Sequence, residues 1–198
     1  MRTVPCHCDH LIEIDLNDEI DLSARPEYYQ EILDGTFLTV VCPACGNRIK
    51  PELEVRLKDP EKNLDVLFLP EARRSDFMNH RIDTEAKSLL IGFPELVERV
   101  RLTKDGIDPG TVEILKFFLK KKLENDEVFI FYTKTEEDRL VFRIIGLREG
   151  EIALTGLPVK VYRDTLASLD EKKNEELYKT ILTPPYVSVN KVSIQEDG

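Results

Sequence analysis

Apolar and polar residues alternate along much of the first third of the chain, which is the pattern of half-buried strands. The alternation runs through LIEIDLNDEIDL over residues 11–22 and returns in IKPELEVRLKD over residues 49–59. A more continuously apolar run follows in NLDVLFLP over residues 63–70. Between the first two stretches, RPEYYQEILDG predicts a short helix with Pro26 at its start and Gly35 just past its end. These strands are expected to form one extended sheet.

The second half has clearer helical periodicity. In GIDPGTVEILKFFLKKKLEND, Asp108 is placed to cap a helix, Pro109 suits its first turn, and apolar residues recur at helical spacing. A shorter helix is predicted before it, in PELVERVRL. Four closely spaced strands are predicted over residues 127–133, 139–147, 151–157 and 159–163. A polar helix over residues 164–182 and an edge strand over 186–194 complete the chain. The arrangement predicts an α+β fold with an antiparallel sheet.

A polar stretch with little periodicity separates the two halves. It covers EARRSDFMNHRIDTEAKS, residues 71–88, and is typical of a linker or mobile loop. We therefore predict two domains, residues 1–88 including this trailing linker and residues 89–198.

Composition narrows the classes of function. The 198 residues carry 28 basic and 38 acidic side chains, a net charge of −10, so the averaged field repels nucleic acid and anionic lipid. No apolar run is long enough to span a membrane, and MRTVPCHCDHL lacks the apolar segment of a secretory signal. The sequence therefore predicts a cytoplasmic protein whose partner is another protein.

Four cysteines form two closely spaced pairs, and in a reducing compartment they can be core residues, redox thiols or metal ligands. Cys42 and Cys45 lie in CPACG, which is typical of a metal knuckle because a tight turn aims both thiolates at one point. Gly46 can adopt the positive φ that turns backbone N–H groups towards the sulfurs. The spacing favours a structural four-cysteine zinc site.

The first pair is less specific. Cys6 and Cys8 alternate on an extended segment and need a bend before both sulfurs reach one ion. His7 and His10 are alternative ligands, but four thiolates already saturate a structural site, so both are expected to face solvent or to donate hydrogen bonds around it. Of the nearby basic residues, Arg2, Arg48 and Lys50 are candidates to offset the excess negative charge.

These motifs resemble the CpXC-domain family of prokaryotic proteins. The resemblance rests on the N-terminal CxC, ILDGTF before the second pair, CPACG, and the helix start GIDPGTVEILK. It implies a zinc-ribbon-like β domain at the N-terminus and metal binding, as Zn²⁺, through Cys6, Cys8, Cys42 and Cys45. It implies no particular biochemical activity.

No catalytic signature accompanies the cysteines. The chain contains neither a glycine-rich phosphate loop nor a GxSxG elbow, and four cysteines leave no open ligand position for water. We therefore expect a non-enzymatic, zinc-stabilised binding or regulatory module. The alternative is a redox-switched protein, since CxC followed by CxxC is similar to the zinc centre of redox-activated heat-shock chaperones, in which thiol oxidation releases zinc.

Overall fold

The structure, a computed structural model, describes residues 1–194 and has a mixed α/β fold. The chain divides into two compact units, Met1–Val97 and Glu98–Gly198. The division falls further along the chain than the polar stretch predicts, because residues 88–91 form a strand in a sheet of the first unit.

The first unit contains three sheets. Its strands are β1 (Arg2–Pro5), β2 (Leu11–Ile14), β3 (Glu19–Asp21), β4 (Val40–Val41), β5 (Arg48–Ile49), β6 (Val55–Asp59), β7 (Leu64–Leu69) and β8 (Ser88–Ile91). β1 pairs with β2 and β4 pairs with β5, each as an antiparallel hairpin. The remaining strands form a mixed sheet in the order β3-β6-β7-β8, in which only the β6–β7 pair is antiparallel. The expectation of one extended sheet is therefore wrong.

The separate sheet follows from the apolar run in β7. Val66, Leu67, Phe68 and Leu69 are all buried, so both faces of this strand are covered, as in the centre of a mixed or parallel sheet. A strand buried on both faces cannot extend a small hairpin that has one solvated face.

Helix α1 (Glu27–Asp34) confirms the predicted helix and both of its ends. Pro26 precedes its first residue, and Gly35 closes it with φ 73°. In the predicted linker, α2 (Arg74–Met78) follows a short 3₁₀ segment, Glu71–Arg73. The predicted linker is thus partly helical, and within its helical part Arg73 Nε donates to Asp76 Oδ2 at 2.7 Å.

In the second half of the chain, α3 (Phe93–Asp105) and α4 (Pro109–Leu123) confirm the two predicted helices. A three-stranded antiparallel meander follows, with β9 (Phe129–Glu136), β10 (Arg139–Ile145) and β11 (Ile152–Pro158) in the order β11-β10-β9. The chain then forms α5 (Val159–Lys172) and α6 (Glu176–Leu182). The three-stranded meander confirms the predicted antiparallel sheet.

Two predicted elements near the end of the chain are wrong, the fourth strand and the final edge strand, and the predicted polar helix is correct except for one break. Residues 159–163 form the first turn of α5 rather than a fourth strand, because Val159 and Tyr162, three residues apart, both pack on the core. The polar helix over 164–182 is interrupted between α5 and α6. In place of the final edge strand lies a short 3₁₀ helix, Val189–Lys191, whose first N–H donates to Glu113 Oε2 at 2.8 Å.

The core of the second unit lies between the meander and its helices. Its buried residues are Leu102, Val112, Leu115, Leu119, Val128, Ile130, Tyr132, Leu140, Phe142, Ile144 and Tyr162. Within residues 1–194, no helix has both the length and the apolar character needed to cross a bilayer.

A network of three buried charged side chains lies beside this core. Lys116 Nζ donates to Glu98 Oε2 and Glu113 Oε1, each at 2.6 Å. The second oxygen of Glu98 accepts the N–H of Tyr132 at 2.5 Å. Lys116 thus donates to two carboxylates, and one of them, Glu98, also accepts a backbone N–H at the outer edge of β9.

Candidate metal centre

Cys6 and Cys8 lie in the loop of the first hairpin. The strand pairing ends at Pro5 and Leu11, and the Cys6 N–H then donates to the His10 carbonyl oxygen at 2.9 Å. The Asp9 N–H donates back to the Cys6 carbonyl oxygen at 2.9 Å, with Asp9 at φ 63°. This turn is the bend that the CxC pair requires.

Cys42 and Cys45 lie in the loop of the second hairpin. The Cys42 N–H donates to the Asn47 carbonyl oxygen, and the Gly46 N–H donates to the Cys42 carbonyl oxygen, both at 2.9 Å. Gly46 has φ 74°, as predicted from the CPACG motif. The two hairpins thus present their cysteines from loops of similar construction.

The loops bring all four sulfurs together. Every pair of Sγ atoms lies within 4.8 Å. The Cys6 and Cys45 sulfurs are 3.6 Å apart, and those of Cys8 and Cys42 are 3.7 Å apart. A tetrahedron with Zn–S bonds of about 2.3 Å has sulfur–sulfur edges of about 3.8 Å. The donor set therefore fits a tetrahedral ion of this size.

One sulfur of each pair faces the protein and the other faces solvent. Cys6 and Cys42 are buried and pack with Val4 and Ile12, whereas Cys8 and Cys45 are exposed. A bound ion would thus lie at the boundary between a small apolar cluster and water.

Backbone N–H groups surround the sulfurs. Burial raises the pKa of the Cys42 thiol, but hydrogen bonds from the N–H groups of Cys45 and Ala44 outweigh it and lower the pKa to about 6. The Asn47 N–H lowers the pKa of Cys45, but the nearby sulfur of Cys8 and burial raise it to about 12. The crowded sulfurs compete for one negative charge, and a cation among them would remove that competition.

The sequence did not identify Asn47 as part of this site. Its role uses only the backbone N–H, so the residue type carries no signal and only the position after CPACG does. Such N–H groups are suited to offsetting the excess charge of four thiolates.

Of the three basic residues predicted as candidates to offset this charge, two make contacts elsewhere. Arg2 pairs with Asp18 and donates to the Glu54 carbonyl oxygen at 2.9 Å. Lys50 Nζ donates to the Gly35 carbonyl oxygen at 2.9 Å. Arg48 is exposed, and the hydrogen bonds that protein N–H groups make to the Cys42 and Cys45 sulfurs come from the backbone.

The two histidines lie beside this cluster without joining it. His7 and His10 are both exposed. Within residues 1–194, the side chains whose potential ligand atoms converge are the four cysteines. The structure thus brings together the four thiols that the sequence singled out and leaves both alternative ligands outside.

Fold and site together define a mixed α/β protein with a cluster of four cysteines on two hairpins. The family model described as CpXC protein matches residues 4–116, more than half of the chain. The chain belongs to the CpXC family, which confirms the predicted resemblance.

A relative of similar length occurs in Treponema pallidum (strain Nichols), where it is described as an uncharacterized protein. It is 27% identical to this chain over an alignment that covers 97% of this chain and 98% of the relative. The similarity thus extends over both units. No solved structure matches the chain.

Proposed function

We propose that the chain is a non-enzymatic binding or regulatory module stabilised by one structural Zn²⁺ ion. The observation that carries the proposal is the convergence of four sulfurs from two hairpin loops at the spacing of a zinc tetrahedron. Two hairpins that each supply two thiolates form a zinc-ribbon-like centre.

Each part of the chain has a defined task in such a centre. The ion supplies the electrostatic attraction that holds four thiolates together. The loops aim the sulfurs, and the N–H groups of Ala44, Cys45 and Asn47 offset their charge. Because four protein ligands saturate the ion, no position is left for a water nucleophile, and the role is structural.

The proposed setting is the cytoplasm, where thiols stay reduced and available to a metal. The proposed partner is a protein, because a net charge of −10 disfavours contact with phosphate backbones and anionic lipid.

Elemental analysis of the purified full-length chain, together with a free-thiol count, tests the metal. We expect one zinc per chain, and we expect Cys42→Ser to lose it. The matched controls are His7→Ala and His10→Ala, which remove neighbouring side chains outside the cluster and should keep stoichiometric zinc. Zinc retained by Cys42→Ser would contradict the assignment, and iron in place of zinc would contradict the choice of ion and indicate electron transfer.

A second candidate function is a redox switch, favoured by the exposure of Cys8 and Cys45. Peroxide would take two electrons from a pair of thiolates and two protons from water, so that the thiolates form a disulfide and the peroxide becomes two water molecules; a bound ion would thereby lose two ligands. If the centre is a switch, peroxide should release zinc and the oxidised chain should suppress aggregation of an unfolded client protein. A chain that keeps its zinc and does not suppress aggregation under peroxide is not a switch.

A further inference from the structure

β11 forms an open edge of the meander. Among residues 1–194, β10 is the strand that pairs with it. The Val159 N–H donates to the Asp138 carbonyl oxygen at 2.9 Å, just beyond the paired residues. Because hydrogen-bonded and non-hydrogen-bonded pairs alternate in an antiparallel ladder, the backbone groups of Ile152, Leu154 and Gly156 point away from β10. These groups form a template for another strand.

The side chains on this edge are apolar and exposed. Ile152 is 63% exposed and Leu154 is 70% exposed. β11 has the sequence IALTGLP, without any charged residue. Natural proteins usually protect a free edge with charges, bulges or a covering segment, because an open apolar edge otherwise pairs with another chain. The composition of β11 thus favours pairing over protection.

The exposed surface continues across the outer face of the sheet. Ile145 of β10 lies opposite Ile152 on one side and opposite Phe129 on the other. Phe129 is also largely exposed. A contiguous apolar surface at a strand edge is typical of a protein–protein interface.

We infer that a second copy of this chain pairs with β11, so that two meanders join into one six-stranded antiparallel sheet. In a two-fold arrangement centred on Leu154, this residue meets its own equivalent, and Ile152 lies opposite Gly156 of the second copy. Such an isologous interface is the commonest form of homodimer.

The charges at the ends of β11 favour a second copy over an unrelated partner. Glu149 and Glu151 lie just before the strand and are exposed, and Glu151 Oε2 lies 3.7 Å from Arg148 Nη1 in a solvent-exposed ion pair that a second copy can exchange. At the other end, the side chain of Arg139 lies across Gly156, with Nε 2.7 Å from where a Cβ would be, and it donates to the Gly156 carbonyl oxygen. Antiparallel pairing about Leu154 places the acidic end of each copy beside the basic end of the other. The edge is thus complementary to itself in charge.

In the free chain, Arg139 also covers part of the open edge of β11. Its hydrogen bond occupies one outward carbonyl that a second strand would use. Because the Arg139 side chain is exposed, it can turn to Glu151 of the second copy when that carbonyl enters the ladder. In the free chain the Arg139 side chain covers part of the edge, and in the dimer it pairs with Glu151 of the second copy.

Sedimentation of the full-length chain tests the inference. We expect a mass twice the 22.9 kDa of one chain. Leu154→Lys places two cations at the two-fold axis and should reduce the mass to that of one chain. The matched control is Leu11→Lys on β2, where the native side chain is similarly exposed, at 62%, and which should stay dimeric. A monomeric native chain, or a Leu154→Lys variant that remains dimeric, overturns the inference.

A charge exchange tests the orientation of the two copies and guards against misfolded variants. Glu151→Arg and Arg139→Glu should each weaken the dimer, and the double variant should restore it, because the pairing is then reversed in sign. Circular dichroism should be the same for all variants. Single variants that weaken the dimer without restoration in the double variant would overturn the antiparallel arrangement about Leu154.

Discussion

The hairpins around the sulfurs and the meander of the second unit are both small β structures, but they bury different amounts of apolar surface. The hairpin cluster has four buried residues, and two of them, Cys6 and Cys42, are themselves candidate metal ligands. The meander and its helices share a cluster of eleven buried residues. Apolar burial is the main favourable term in folding. Apart from the cysteine sulfurs, the hairpins therefore have few groups whose burial stabilises them. If the proposed ion is bound, we expect the first region to depend on that ion and the second on its core.

The largest expected effect comes from removing the metal. A chelator, or Cys42→Ser, should unfold both hairpins, because apparent binding free energies of structural zinc are about 10–16 kcal/mol and act as folding free energy. Backbone amides of β9 and β10 should stay protected. Hydrogen exchange followed peptide by peptide measures both regions in one sample. Equal loss of protection in the hairpins and the meander would contradict the comparison.

The second prediction concerns the second unit, which depends mainly on its buried core. Lys116→Met removes the cation that Glu98 and Glu113 share, and both carboxylates stay buried. Breaking a buried ion pair in this way typically costs about 3–5 kcal/mol. We expect a large fall in the urea midpoint of the second unit, with zinc content unchanged.

Lys122→Met is the matched control, because it removes an exposed lysine from the same helix. It should change stability by no more than about 0.5 kcal/mol. If the two variants unfold at the same urea concentration, the buried ion network does not support the second unit.

The sequence allowed the turn of the second cysteine pair to be predicted because the information is local. Cys42, Cys45 and Gly46 lie within five consecutive residues whose turn geometry depends on few distant contacts. The same holds for α4, whose start is fixed by Asp108, which accepts the Thr111 N–H at 2.6 Å. Motifs that satisfy their own backbone hydrogen bonds can be recognised from the residues alone.

The incorrect predictions depend on distant partners. β3 pairs in parallel with β6, more than thirty residues further along the chain, and no local pattern specifies that choice. Residues 159–163 alternate like a strand, yet Tyr162 is held in a helix by the core and by its hydroxyl, which accepts the Asp108 N–H at 2.9 Å. Here tertiary contacts override the local pattern.

The smallest of the expected effects is a dependence of stability on pH that distinguishes the second unit from the first. Burial raises the pKa of Glu98 to about 7, and the negative charge of Glu113 adds to this, while Lys116 and the Tyr132 N–H oppose it. The unfolded chain releases this proton near pH 4.5, so the folded state binds more protons between about pH 4.5 and 7. Stability of the second unit should therefore fall as pH rises through this window, by at most about 3 kcal/mol.

Urea titrations read from backbone amide signals of β9 and β10 isolate this effect, because all three histidines lie in the first unit. Glu98→Gln, which cannot ionise, should flatten the pH dependence even though it lowers stability at every pH by placing an amide beside Lys116. Glu171→Gln on α5 is the matched control, since it neutralises an exposed glutamate and should keep the native slope. A native chain with no slope between about pH 5 and 7, or a Glu98→Gln variant with the native slope, would show that this buried carboxylate does not exchange a proton in that range.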